Sequence, residues 1–174
     1  MAKLRKMLGK ADDAEIVTLM RQIETQSKTT LARWAADCAK NWYLPIAQAA
    51  DPTDLCLGQL LDTVQACLEG KATQKQLKEQ LREGRGLAQR MTEPAVQAAA
   101  RAIVTACGVL QTPTNALGFC FYGAAAAAYH ELGLERSAAD YDSRAHVEFE
   151  RLSQTLEQVM VPDEADPVQV DWNC

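Results

Sequence analysis

Thr112-Pro113-Thr114-Asn115-Ala116-Leu117-Gly118-Phe119-Cys120-Phe121-Tyr122-Gly123-Ala124-Ala125-Ala126-Ala127-Ala128-Tyr129-His130-Glu131-Leu132-Gly133 is the stretch on which the fold turns. Its Thr112-Pro113 start reads as an N-cap hydroxyl followed by proline in the first turn, where a missing N–H costs nothing. Gly133 reads as a helix stop. Between them Leu117, Cys120, Phe121, Ala124, Ala125 and Ala128 recur at helical spacing. The run from Ala116 to Tyr129 is the longest apolar stretch of the chain. It falls short of the ~20 residues that span a bilayer. The expectation is a helix buried inside protein.

Working outward, the same start, stop and stripe signals predict about seven helices. The first begins near Asp12, with Glu15 as capping-box partner, and carries Ile16, Leu19, Met20 and Ile23. The second runs from about Lys28 to Trp42, with Leu31, Trp34, Ala35, Cys38 and Trp42 on one face. Pro45 should kink or break it. Asp51-Pro52 predicts the start of the third, which Gly70 ends. Thr73 caps the fourth with Gln76, and Gly84 and Gly86 within it imply a bend or a close crossing. Pro94 opens the fifth, and the quoted stretch is the sixth. Ser137 caps the seventh with Asp140, and its stripe runs from Tyr141 to Val159. Nothing alternates like a strand for long, and the connections are short, which favours antiparallel neighbours. The fold class expected is all-α, a compact bundle of about seven helices, with residues 1–160 as a single domain. Residues 161–174, with two prolines and four acids, are expected to form a flexible acidic tail.

A chain of 174 residues suits one domain and buries roughly 70% of its unfolded surface, enough to fold without disulfides or metal. Aromatic residues make up only 6%, so small side chains must fill much of the core. The net charge of −5 argues against non-specific nucleic-acid binding, which needs clustered Lys and Arg. Lys3, Arg5, Lys6 and Lys10 form the most basic stretch and read as a solvated arm. Met1 to Lys10 holds no apolar signal segment. Cys38, Cys56, Cys67, Cys107 and Cys120 fall in predicted helices and make no C-x-x-C, which fits a reducing cytoplasm. Cys174 is expected to be exposed.

The chemistry-bearing residues form no catalytic set. Asp142 and His146 share a helix face and could supply two metal ligands, but no third is visible. His130-Glu131 is followed by Leu132, Gly133 and Leu134, so H-E-x-x-H is absent. Cys107 and Cys120 lie on apolar stripes, which raise a thiol's pKa. Gly84-Arg85-Gly86 is too short for a phosphate loop. No metal, cofactor or catalytic residue is therefore assigned. Two polar clusters at helix ends remain: Arg21, Glu24, Thr25, Gln26 and Ser27, and Gln111, Thr112, Pro113, Thr114 and Asn115. Element ends carry function more often than helix middles. Arg21, Glu24, Gln26, Gln111, Thr112, Thr114 and Asn115 are the candidate partner-binding residues.

Lys3-Leu-Arg-Lys-Met-Leu-Gly-Lys10, Leu19-Met-Arg-Gln-Ile-Glu-Thr-Gln-Ser27, Tyr43-Leu-Pro-Ile46, Thr112-Pro-Thr-Asn-Ala-Leu-Gly118 and Phe121-Tyr-Gly-Ala-Ala-Ala126 resemble a bacterial family of immunity proteins, the type-five-like immunity proteins of polymorphic toxin systems. The resemblance runs over most of Lys3 to Met160. It implies a compact, cytoplasmic, non-enzymatic helical protein that binds and blocks a cognate toxin. Several members of that family carry histidines where this chain has Gly86, Gln111 and Asn115. An acidic surface would suit a basic toxin such as a nuclease. Trp42 and Tyr43 are candidate aromatic anchors. The alternatives are a ligand-binding or enzymatic bundle with a pocket near Asn115, Tyr122 and His146, and a helical adaptor. Homo-oligomerisation is left open, and no membrane partner is expected.

Overall fold

The computed structural model describes residues 3–172. Its helices are α1 (Ala14–Glu24), α2 (Lys28–Cys38), α3 (Leu44–Gln48), α4 (Cys56–Leu68), α5 (Gln74–Arg90), α6 (Pro94–Cys107), α7 (Asn115–Leu132) and α8 (Ala138–Val159). A π-helical turn, Ala39–Tyr43, joins α2 and α3 into one rod. The described residues thus form seven helical rods and no sheet, and the fold is all-α. Their one β-bridge pairs Ser27 with Pro167. Cys174 lies outside the described residues.

The quoted stretch becomes α7, and α7 is the axis of the molecule. Residues from Ala116 to Tyr129 are buried nearly all round it, as expected of a helix apolar on every face. It packs chiefly against α6 and α8, while α5 and α3 cover α6 and α1 covers α8. Small residues make the α6–α7 crossing close. A Cβ on Gly118 would stand 3.4 Å from Thr105 Cγ2. Trp34 and Phe119 meet edge to face at 5.0 Å where α2 reaches the same core. Among the described residues no helix is long and apolar enough to cross a membrane.

Caps set most boundaries. The Thr73–Gln76 and Ser137–Asp140 capping boxes form as expected, and Ser27 accepts from the Thr30 N–H. Three starts differ from the sequence reading. α1 begins at Ala14, because Asp13 Oδ2 accepts from the Lys10 N–H. Glu15 bonds His146 rather than closing a capping box. α4 begins at Cys56, because Asp51 Oδ1 accepts from the Thr53 N–H and hydroxyl, a local turn that competes with the helix. Thr112 does not cap α7. Its carbonyl accepts the Asn115 N–H in a turn that precedes the helix.

Pro45 neither kinks nor ends its rod. It has no N–H to give and its ring crowds the carbonyl one turn back. The backbone widens just before it, and the Leu44 N–H bonds the Ala39 carbonyl five residues away. That extra residue shifts the inward stripe. Tyr43, not Trp42, is the residue fully buried there.

Residues 161–172, expected to be a flexible tail, lie bonded along the α1–α2 junction. The Gln26 amide donates to the Val161 carbonyl and accepts from the Val161 N–H. The Val168 N–H reaches the Gln26 carbonyl. Glu164 accepts from the Ser27 N–H and the Ser27 and Thr30 hydroxyls. Trp172 Nε1 donates to Glu24 Oε1 at 2.5 Å.

Candidate binding site

The two predicted clusters lie at different places, and no hydrogen bond or ion pair among the described residues joins them. At the end of α1, Arg21 and Glu24 are exposed. Gln26 is 1% exposed, with its amide consumed by the tail, so it stands inside the fold and not on a surface. At the α6–α7 turn, Gln111 and Thr112 are exposed while Thr114 and Asn115 are half-buried. Gln111 Nε2 donates to the Gln74 carbonyl at the start of α5.

Asn115 also lines a cleft of about 310 Å³ between α5, α6 and α7. Arg85, Gln89, Arg101, Thr105 and Tyr122 face the same space. The first turn of α7 places Asn115 over Gly108, where a Cβ would sit 2.6 Å from Asn115 Nδ2. Only glycine leaves room for the amide there. Gly84 brings α5 in, since a Cβ on it would stand 3.0 Å from Val104 Cγ2, and that approach turns Arg85 toward α6. Of the two glycines expected to mark a close crossing, Gly84 does so. Gly86 meets nothing nearer than the Arg90 guanidinium. Arg85 and Arg101 escaped the sequence reading because they belong to separate helices. One signal was present: Arg101 is the lone charged residue of the Ala-rich α6.

A second polar cluster is engaged at every group but Arg151 Nε, which is buried without a partner. Glu148, 0% exposed, accepts from the Tyr43 hydroxyl at 2.8 Å, Arg144 at 3.1 Å and Arg151 at 2.6 Å. Arg144 also forks onto Glu131 through two 2.6 Å bonds. That hydrogen bond holds the Glu131 carboxyl below its usual range. Arg151 stacks 3.7 Å over the Trp42 ring. Tyr43 is therefore no surface anchor: burial, then the Glu148 charge, keep its hydroxyl protonated. Glu148 falls on the α8 stripe between Ala145 and Leu152, a charged residue at an apolar position that the sequence reading passed over.

Asp142 and His146 do not act together. Asp142 pairs with Arg5 at 2.5 Å and His146 Nδ1 with Glu15 at 3.0 Å. No group of three potential metal ligands occurs among the described residues. Burial pushes the Cys38 thiol up to about 12 and raises those of Cys107 and Cys120 further, so these three stay protonated and unreactive. A groove of about 330 Å³ lies between Lys3, Arg5, Tyr129, Arg136 and Tyr141, and the hydroxyls of both tyrosines are occupied. Tyr129 and Tyr141 donate to the Arg5 and Gly133 carbonyls.

Neither curated proteins nor solved structures provide a match to this chain. The sequence pattern of one family does match, over residues 21–155, which runs from the last turn of α1 through most of α8. The chain belongs to the Imm-5 like putative immunity protein family.

Proposed function

We propose that the protein is a non-enzymatic binding module that neutralises a cognate toxin in the cytoplasm by covering the toxin's working face. Family membership is the observation that carries this reading. The net charge of −5 suits a basic partner such as a nuclease, whose active face must attract phosphates. The exposed turn at Gln111 and Thr112, with Thr114 and Asn115 behind it, is the contact surface of choice. Arg21 and Glu24 form a second patch beside the tail. Binding of this kind concentrates its energy in a few anchors, with rim charges tuning the association rate.

The test is co-expression with the toxin domain encoded beside this chain's gene. Growth should be rescued, and the purified toxin's activity should fall to background at one equivalent of protein. A folded protein that neither binds nor protects would sink the reading and favour a ligand-binding bundle.

A further inference from the structure

We infer that the cleft between α5, α6 and α7 is a binding site for a small oxyanion, of the carboxylate or phosphate class. Arg85, Gln89, Arg101, Thr105, Asn115 and Tyr122 converge on it. Among the described residues none of these six side chains has a hydrogen-bond or ion-pair partner. Arg85 and Gln89 are exposed, where a partner is dispensable, but Arg101, Thr105, Asn115 and Tyr122 are half-buried. The guanidiniums of Arg144 and Arg151 are held by carboxylates, and buried Gln26 is bonded at both ends of its amide.

Two guanidiniums facing one space repel unless an anion lies between them. No acid lines the cleft, although Asp and Glu outnumber Lys and Arg by 23 to 18 in the chain. Arginine's planar fork matches the two oxygens of a carboxylate or phosphate. The neutral groups can complete the shell: the Asn115 amide and the Tyr122 and Thr105 hydroxyls all donate. The Asn115 amide lies over Gly108, where the missing side chain leaves it room beside the cleft. The volume fits a small organic dianion better than a single water-shelled ion. This site goes beyond the proposed toxin binding and stands without it.

The experiment titrates the full chain with sodium malonate and, separately, inorganic phosphate, at constant ionic strength held with chloride. It follows the heat of binding and the Asn115 side-chain amide by NMR. Saturable one-site binding is expected for at least one anion, with a shift of the Asn115 amide. Arg85→Gln and Arg101→Gln should each weaken it about tenfold or more. Arg82→Gln, which faces the neighbouring cleft with Asp54 and Glu83, should leave it unchanged. Circular dichroism confirms that each variant is folded. Absence of saturable binding by both anions would overturn the inference. So would binding that survives both variants, or that falls equally with Arg82→Gln.

Discussion

Among single residues, Glu148 carries a charge fully inside the fold. A fully buried carboxylate is tolerable only when its charge is answered, and here Tyr43, Arg144 and Arg151 answer it. Glu148→Gln keeps the shape but leaves Arg144 and Arg151 short of one counter-charge. Arg144 is only 15% exposed and cannot turn fully to water. The expected cost is about 3 kcal/mol, toward the low end for breaking a buried pair because Arg144 retains Glu131. A urea melt should show it as a lower midpoint, and an unchanged midpoint would mean the pairing contributes nothing net. Gly123 shows the same closeness sterically. A Cβ there would run into the Tyr43 ring, so Gly123→Ala should destabilise by about 1–3 kcal/mol.

At the scale of elements, α5 contains two glycines with opposite meanings. Gly84 is buried against Val104 and Leu60, whereas Gly86 meets only the flexible end of Arg90. Gly86→Ala should therefore stabilise by about 0.5–1 kcal/mol through lower backbone entropy in the unfolded chain and higher helix propensity. Thermal unfolding reads this directly, and a fall in the midpoint would contradict it. The tail carries a pH dependence. Burial raises the Glu164 pKa, but bonds from Thr30 and Ser27 lower it further, leaving it below its ordinary value. A depressed carboxyl contributes stability above the ordinary pKa and loses it as pH falls through the lower one. On acidification from about pH 5 to about pH 3, the protection of the Ser27 and Val168 amides, measured against the intrinsic exchange rate at each pH, should fall ahead of global unfolding. Glu164→Gln should show the lower protection already at neutral pH. Equal protection in the two proteins would refute the tail's attachment through this carboxylate.

At the scale of the whole molecule, the sequence exposed what is local and hid what is long-range. α7 could be read from its own residues because burial on all sides needs only an unbroken apolar run. The boxes at Thr73 and Ser137 could be read because each bond spans three residues. The place of residues 161–172 could not, since Gln26 and Val161 meet across 135 residues. Nor could the π turn, because the exchange of Trp42 for Tyr43 is set by Glu148 and by the space over Gly123. Part of the cleft is legible: Asn115 and Tyr122 are pocket candidates in the sequence, while Arg85 and Arg101 come together only when α5 crosses α6.

The proposed binding of a toxin through the α6–α7 turn is open to calorimetry with the purified toxin domain. Wild-type protein should bind with one-to-one stoichiometry. Thr112→Arg, a bulky charge on an exposed turn residue, should weaken binding at least about tenfold, or 1.4 kcal/mol, with the thermal midpoint unchanged. A folded wild-type protein that gives no heat of binding, or a Thr112→Arg variant that binds as tightly as wild type, would contradict it.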